Sequence, residues 1–296
     1  MSLPTCGPAA SGGPRPLVEL AVRAEERGID AVAVPDHIAF GPDTAGYPFG
    51  SFPLPPDAPF LEPLSVLMAI AAVTRDLRLT TGILIAPLRR AAVLAKTVAT
   101  LDVMSGGRVE LGVGVGWHEA EYRACGVEYH RRGAVLDDVI GACRALWQQA
   151  DVTFSSETVN FASLSSLPLP VQQPLPVLIA GSLHARNVRR ILATGDGWIP
   201  VMGASPVIVA EGIALLRAAG IEQGRDLSGL LVRSELAPRF DDRGRPDLDA
   251  TLEPVAALIA AGVTDVQFPL PYFVSDITRA DDVVDRLVAG WRRCVA

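Results

Sequence analysis

The stretch LGVGVGWHEAEYRACGV, residues 111–127, carries the clearest fold signal in the chain. Its first six residues alternate apolar side chains with Gly112, Gly114 and Gly116, and a charged segment of helical composition follows directly. A short apolar run without polar alternation is typical of a buried parallel strand. Because side chains alternate along a strand, the three glycines share one face. We expect that face to accept either a side chain from a neighbouring strand or a planar ring.

Further strands and helices alternate on both sides of this stretch. The other predicted strands are IDAVAV (29–34), LRLTTGILI (77–85), PVLIAG (176–181), GWIPV (197–201), GLLVRSEL (229–236) and TDVQFPL (264–270), and the glycine-rich strand is completed as RVELGVGVG (108–116). The predicted helices cover residues 17–27, 62–73, 91–103, 133–149, 206–219, 250–261 and 280–294, with one more starting at residue 185. This alternation is typical of parallel strands joined by crossover helices.

The number of strands favours a (β/α)8 TIM barrel over an open, doubly wound sheet. Seven strands are clear, and MSLPT (1–5) supplies a shortened first strand, which gives the eight needed for closure. A doubly wound sheet would show a G-x-G-x-x-G turn after its first strand and two similar halves, and the sequence shows neither. We predict one α/β barrel domain over residues 1–296, with an insertion at 150–174 before the fifth strand and near the barrel mouth.

Composition excludes several classes of function. The chain is 49% hydrophobic and has a net charge of −7 without clustered Lys and Arg, which argues against a nucleic-acid partner. No apolar run approaches a membrane span and no signal peptide is visible, so we expect a cytoplasmic protein. Residue spacing predicts no metal site and no disulfide framework. The residues concerned are Cys6, Cys125, Cys143, Cys294, His37, His118, His130 and His184.

In such a barrel the chemistry belongs at the carboxyl ends of the strands. Asp36 and His37 leave the second strand side by side, one an acceptor and the other able to change charge near neutral pH. They suit proton transfer or hydrogen bonding to a heterocycle. The alternative is that Asp36 caps the loop and His37 is merely exposed.

Two more strand ends carry weaker signals. Gly82 lies where the third strand meets its loop, which indicates either a close approach of the backbone or a simple bulge. Gly181 and Ser182 precede a helix near Ala185, with Arg186 nearby, which suits a phosphate site at the helix N-terminus. The alternative there is an ordinary turn with Ser182 as the N-cap.

Five segments, in this order, together resemble the bacterial luciferase-like monooxygenase family, and in particular its branch that depends on the deazaflavin coenzyme F420. They are AVRAEERGIDAVAVPDH (21–37), RLTTGILIAPLRR (78–90), AKTVATLDVMSGGRVELGVGVGWHEAEYRACGV (95–127), RRGAVLDDVIGACRALW (131–147) and IAGSLHARNVRRILATGDGWIPV (179–201). The similarity runs from about residue 3 to 205. The resemblance implies a TIM barrel that binds FMN or the deazaflavin at its carboxyl-terminal face, commonly as a homodimer.

The resemblance also implies roles for particular residues. Asp36 and His37 match the pair that contacts the cofactor ring, with His37 as the catalytic acid or base. Gly82 and Ile83 match a non-prolyl cis peptide bond that lies against the ring. Gly181 and Ser182 match the backbone site for the cofactor phosphate.

Two further glycines are placed at the cofactor by their position in the strand. Gly114 and Gly116 leave room for the ring at the barrel mouth, whereas Gly112 lies deeper and is better explained by packing. The loop at 38–60 is rich in Pro, Gly and aromatic residues, and is predicted to be a lid over the substrate pocket. A rigid surface loop and a dimer contact are the alternatives. The shortened first strand departs from the family pattern, which puts cofactor contacts from that strand end in doubt.

The sequence therefore predicts an oxidoreductase that transfers a hydride between coenzyme F420 and a small organic substrate. An FMN-dependent monooxygenase that uses O2 is the alternative within the enzymes. A cofactor-binding protein without turnover is the alternative from another class. The substrate itself cannot be read from the sequence.

Overall fold

The computed structural model describes residues 1–7, 10, 13–48, 50–55 and 57–295. The strands, in chain order, are β1 (Ala31–Val34), β2 (Arg78–Thr81), β3 (Leu84–Ile85), β4 (Val109–Gly114), β5 (Val152–Ser155), β6 (Asn160–Leu164), β7 (Val177–Ala180), β8 (Gly197–Ile199), β9 (Leu231–Glu235), β10 (Arg239–Phe240), β11 (Pro246–Asp247) and β12 (Asp265–Gln267). Strands β1, β2, β4, β7, β8, β9 and β12 pair in that order, all parallel, and β3 also pairs with β4.

The first residues of the chain close this sheet into a barrel. Ser2 forms a parallel bridge with Ala33 of β1. The Ser2 amide donates to the Phe268 carbonyl (2.8 Å), and the Leu3 amide donates to the Ala33 carbonyl (2.8 Å). Residues 1–3 therefore take the place of a strand between β12 and β1. The predicted (β/α)8 barrel with a shortened first strand is confirmed.

Helices surround the barrel. They are α1 (Pro14–Glu26), α2 (Pro63–Ala71), α3 (Ala91–Ser105), α4 (Glu119–Ala124), α5 (Arg132–Gln148), α6 (Ala185–Thr194), α7 (Pro206–Glu222), α8 (Leu248–Leu252), α9 (Val255–Ala260) and α10 (Ala280–Val295). The apolar stripe of α5 is buried, as its helical spacing predicts. The helix predicted at 250–261 is instead two short helices, α8 and α9, because Glu253 and Pro254 interrupt it.

The strand predicted at 77–85 is divided in two. β2 ends at Thr81, β3 begins at Leu84, and the peptide bond between Gly82 and Ile83 is cis, as the family resemblance implies. The Gly82 amide still donates to the Val34 carbonyl (2.9 Å), so the chain stays beside β1 through the break. Both halves of the predicted strand pair with β4, and β2 also pairs with β1.

The segment at 150–174 lies before β7, the fifth strand of the barrel when residues 1–3 are counted as the first, as the sequence predicts. It forms the β5–β6 hairpin on the outside of α5, where Thr158 donates to the Asp138 carboxylate. Further along, the Gln172 amide binds Asp102 at the end of α3 and the Val109 carbonyl at the start of β4. The predicted position of the segment near the mouth stays a prediction. A connection from a helix to the next strand must return to the end of the barrel where strands begin.

Charged side chains fill the barrel at that end. Arg78 binds Glu110 (Nη1 to Oε1, 2.6 Å) and Asp265 (Nη2 to Oδ1, 2.5 Å), and Arg233 also binds Glu110. We call these four residues the ionic layer. A cavity of about 200 Å³ lies below the ionic layer, with Arg27 and Trp291 among its lining residues. The opposite end of the barrel, where the strands finish, is called the mouth.

Candidate functional site

His37 lies at the mouth, three residues after the end of β1, and is held by a buried carboxylate. Its Nδ1 is 2.9 Å from Oε2 of Glu121 in α4, and the Glu121 side chain is completely buried. The other oxygen, Oε1, accepts hydrogen bonds from the backbone amides of Ile38 (2.5 Å) and Ala39 (3.2 Å). A carboxylate beside Nδ1 favours the proton on that nitrogen, which leaves Nε2 as an acceptor in neutral His37. The pair can therefore hold or move a proton at Nε2.

Asp36 is the neighbour of His37 in sequence but has different partners. It is buried, and both of its oxygens accept from Arg89 (2.6 and 3.0 Å), while the Ile85 amide donates to Oδ2 (2.8 Å). Arg89 also binds Glu62 (3.0 Å) at the start of α2. The bidentate pair therefore fastens the end of β1 to β3. Its contacts are with protein groups, so the predicted cofactor contact of Asp36 stays a prediction.

Aromatic rings cover His37. Their centroids lie 4.3 Å (Phe40), 5.3 Å (Phe60), 5.6 Å (Trp117) and 6.2 Å (Phe52) from the centre of the imidazole. Three of these rings come from the loop at 38–60, and only 11% of the His37 side chain is exposed. The loop thus packs directly over the mouth, as a lid must, although Phe49 and Pro56 of that loop lie outside the described residues. Its role as a lid stays a prediction.

His118 ties the same loop to the segment after β4. Its Nε2 accepts a hydrogen bond from the Gly41 amide (2.8 Å), and the residue is buried. Burial lowers the pKa of His118, which keeps the ring neutral and able to accept that bond. We therefore assign His118 to the support of the loop.

Gly82 brings the backbone close to two neighbouring strands. A Cβ at this position would lie 3.1 Å from Nε2 of Gln267 and 3.2 Å from the Cβ of Ala33. Gly82 and Ile83 are both partly exposed at the mouth, in contrast to the buried residues on either side. The backbone is therefore available to a ligand at this point.

The surroundings of Gly112, Gly114 and Gly116 show what packs against the predicted glycine face. A Cβ at Gly112 would lie 2.2 Å from the Thr81 carbonyl oxygen, so backbone packs against it. At Gly114 and Gly116 the nearest groups are the Cδ1 atoms of Ile83 and Ile85, each 2.9 Å from the added Cβ. The glycine face thus accepts side chains from the strand beside it. The predicted role of Gly114 and Gly116 in cofactor binding stays a prediction.

Gly181 and Ser182 lie at the end of β7, before α6. Gly181 has a φ of 112°, and its carbonyl accepts from the Trp198 indole (2.8 Å). The Asn187 amide donates to the Ser182 carbonyl (3.1 Å), while the Ser182 side chain is exposed. The N-cap of α6 is His184, whose Nδ1 accepts from the Asn187 amide (3.3 Å). The alternative that Ser182 caps this helix is therefore wrong, and its hydroxyl is free of that function.

The predicted residues thus lie on four adjoining elements of the barrel, β1, β2–β3, β4 and β7. Sequence reasoning missed Glu121 and Arg89, the partners of His37 and Asp36. The sequence signal for Glu121 was its place in WHEAEY, in the helical segment that follows a strand end. Its charged neighbours Glu119 and Arg123 are exposed, whereas Glu121 is buried. Among the described residues, no three His, Cys, Asp or Glu side chains converge as a metal site requires, and no helix is long and apolar enough to cross a bilayer.

A parallel barrel with a buried His–Glu pair at its mouth has the architecture of an enzyme that transfers protons. The family model described as luciferase-like monooxygenase matches residues 2–261. The chain therefore belongs to the luciferase-like monooxygenase family of oxidoreductases.

Individual relatives agree with that assignment. An uncharacterised protein of Mycobacterium tuberculosis is 33% identical over 276 residues, which cover 92% of each chain. An F420-dependent glucose-6-phosphate dehydrogenase of Gordonia bronchialis is 32% identical over 249 residues, covering 81% of this chain and 68% of the relative. Among solved structures, the monooxygenase RslO1 from Streptomyces bottropensis superposes with a TM-score of 0.79 at 19% identity, covering 100% of this chain and 99% of that one. The last comparison supports the fold alone.

Proposed function

We propose that the protein catalyses hydride transfer between the deazaflavin coenzyme F420 and a small organic substrate. The observation that carries this proposal is the His37–Glu121 pair at the mouth, 2.9 Å apart and shielded from water. The dehydrogenase of Gordonia bronchialis, whose name states F420 dependence, supports the choice of cofactor.

The residues at the mouth fit such a cofactor. The partly exposed backbone at Gly82 and Ile83 would hold one face of the ring, at a point where an added Cβ on Gly82 would make a tight contact with Gln267. The exposed Ser182 hydroxyl and the backbone at Gly181 would hold the phosphate, beside the N-terminus of α6. When bound there, a deazaflavin supplies a carbon that accepts or donates a hydride.

His37 would hold or move the matching proton at Nε2. With an alcohol as substrate, Nε2 would accept the O–H proton as the carbonyl group forms, and the bound cofactor would supply the hydride chemistry. Glu121 stabilises the cationic imidazole that results, because its carboxylate faces Nδ1. The aromatic rings over His37 exclude water from the reacting groups.

An FMN-dependent monooxygenase that uses O2 is the second candidate. The description of the family model and the name of the Streptomyces bottropensis protein favour it. The same residues would hold the flavin, and His37 would again serve as the proton partner. Either enzyme would act on a small-molecule substrate. We infer a homodimer from the family resemblance, and a location in the cytoplasm from the composition and the scattered cysteines.

The test begins with separate titrations of the purified protein with F420 and with FMN, followed by absorbance and fluorescence quenching. Binding of F420 in the micromolar range and no comparable binding of FMN is the expected result. Tighter binding of FMN, with O2 consumption in the presence of reduced FMN, would support the monooxygenase instead. If neither cofactor binds, both oxidoreductase proposals fail.

The second stage tests His37 in the cofactor-loaded protein. His37→Ala should lower turnover by about 10²–10⁴-fold, the usual contribution of a general acid or base, and should change cofactor affinity much less. His130→Ala is the matched control, because His130 is exposed and its ring contacts Tyr129 rather than His37 or Glu121. Binding of the cofactor without any turnover in the wild type would favour the non-enzymatic alternative.

A further inference from the structure

Glu235 lies at the end of β9, on the part of the mouth that the proposed function leaves unassigned. It is in register with Gln267 of β12, and two residues earlier Arg233 belongs to the ionic layer. Alternate residues of a strand face the same side. Glu235 therefore faces the barrel interior, one layer nearer the mouth than Arg233.

Hydrogen bonds connect Glu235 through Ser2 to Gln267, which lies beside the proposed cofactor position. The Ser2 hydroxyl donates to Oε1 of Glu235 (3.1 Å), and Nε2 of Gln267 donates to the Ser2 hydroxyl oxygen (2.8 Å). The Gln267 amide is also the group that an added Cβ at Gly82 would meet. Glu235, Ser2, Gln267 and Gly82 thus follow one another across the barrel. The Glu235 carboxyl therefore lies in the same layer of the barrel interior as Gln267, next to the position proposed for the cofactor ring.

The surroundings of Glu235 favour its neutral form. Burial raises the pKa of its carboxyl, and the hydrogen bonds from Ser2 and Gln267 together with the Met1 amino group oppose that shift only in part. Its charge also contributes to the raised pKa of two nearby phenols, Tyr47 and Tyr272, although burial is the main cause in both. These two tyrosines belong to the loop after β1 and the segment after β12, and both reach the mouth. Glu235 itself remains partly exposed.

We propose that Glu235 is a substrate-binding residue whose carboxyl exchanges hydrogen bonds with an uncharged hydroxyl or carbonyl group of the substrate, between Tyr47 and Tyr272. A neutral carboxyl can both donate and accept, which suits either group. A substrate with an ammonium group would require the ionised carboxylate, which burial disfavours. This inference rests on the proposed function, because it places the substrate beside the cofactor held at Gly82.

The experiment uses the cofactor-loaded full chain, with 2-propanol, cyclohexanol and glucose 6-phosphate as probes. Glu235→Ala should raise KM for the bound probe by about tenfold or more, because a buried hydrogen-bonding partner is lost. Its kcat should change much less, since the interaction is made equally in the ground state and the transition state. Glu235→Gln keeps the shape and an uncharged donor and acceptor, and should restore KM. Glu211→Ala on the exposed face of α7 is the control.

The pH dependence separates binding from a structural role. In the wild type, KM should rise as the pH increases through the raised pKa of Glu235, whereas Glu235→Gln should show no such rise. Stability against pH gives a second measurement. Because the pKa of Glu235 is raised in the folded state, its proton stabilises the folded state fully below about pH 4.5, the ordinary value for a glutamate. This stabilisation is lost as the pH rises through the pKa of Glu235 in the folded state. Urea unfolding of Glu235→Gln should lack that loss.

Three results would overturn the inference. They are a KM in Glu235→Ala equal to that in Glu211→Ala, a loss of cofactor affinity as large as the rise in KM, and identical KM profiles against pH in the wild type and Glu235→Gln. If the wild type binds no cofactor, the proposed function fails separately. Titration of the same variants with the probes, followed by the fluorescence of Trp117 at the mouth, then decides the inference. Equal affinity of wild type and Glu235→Ala, or no binding of any probe, would overturn it.

Discussion

The two ends of the barrel interior both contain charged side chains, but they differ in how those charges are neutralised. In the ionic layer, Arg78 and Arg233 face Glu110 and Asp265, so each charge has an opposite charge beside it. At the mouth, Glu121 is hydrogen-bonded to His37, whose imidazole is neutral in one of its two protonation states. Glu235 accepts a hydrogen bond from an uncharged group, the Ser2 hydroxyl.

This difference separates structural charges from those able to exchange protons. In the ionic layer, opposite charges lie at hydrogen-bond distance and stabilise each other. At the mouth, burial raises the pKa of the Glu235 carboxyl, which accepts its side-chain hydrogen bond from the uncharged Ser2 hydroxyl. One end of the barrel therefore contributes stability, and the other contributes chemistry.

The largest expected effect comes from breaking the ionic layer. Glu110→Gln leaves the almost fully buried Arg233 without its carboxylate partner, and should lower the free energy of unfolding by about 3–5 kcal/mol. Urea denaturation measures this loss. Replacing both Glu110 and Arg233 by leucine should recover much of it, because removing both charges leaves none uncompensated. A loss below about 1 kcal/mol in the single variant would contradict the structural role of the layer.

The next effect tests the packing of β4 between the two ends. Gly112→Ala would place a Cβ 2.2 Å from the backbone oxygen of Thr81, which cannot move without shifting β2, and should cost about 1–3 kcal/mol. Gly114→Ala is the matched control nearer the mouth, where the added Cβ meets the flexible end of Ile83. Its cost in the same urea experiment should be smaller. Equal costs would show that both positions are packed against backbone.

The sequence predicts the barrel well because its signals are local. Each strand and helix is encoded by its own apolar period, and the order of elements then leaves few ways to join them. The predicted cis bond at Gly82–Ile83 and the position of His37 at a strand end rest on motifs confined to a few residues. The position of the insertion at 150–174 has no such local signal, because it depends on which end of the barrel the chain has reached.

Partners that are distant in sequence are the part that could not be predicted. Glu121 binds a residue 84 positions away, and Ser2 binds one 233 positions away. Neither contact leaves a periodic pattern, because each needs the barrel to be closed before the two side chains meet. The occupant of the glycine face was undecided for the same reason, since Ile83 meets Gly114 only through the folded path of the chain between β2 and β3.

A smaller effect on stability, with a clear effect on activity, is expected from the mouth. Glu121→Gln keeps an oxygen that can accept from the amides of Ile38 and Ala39, so the protein should stay within about 1 kcal/mol of the wild type. It removes the negative charge that would stabilise the cationic imidazole of His37. The kcat should therefore fall by about tenfold or more, which is a part of the rate enhancement that general acid–base catalysis provides. Steady-state kinetics of the cofactor-loaded variant checks this. An unchanged kcat would contradict a positioning role for Glu121.

The smallest effect should come from an ion pair on the outer surface. Comparing it with the ionic layer tests how much the loss of stability on breaking an ion pair depends on burial. Arg293 of α10 binds Asp249 of α8 at 2.8 Å, with 64% and 74% of the two side chains exposed. Water and salt screen such a pair, so Asp249→Ala should change the free energy of unfolding by less than about 1 kcal/mol. The difference should vanish in 1 M salt, where the Debye length is about 3 Å, while the loss in Glu110→Gln persists. If the Glu110→Gln loss also disappeared in salt, the ionic layer would be accessible to ions and the contrast between the inside and outside of the barrel would not hold.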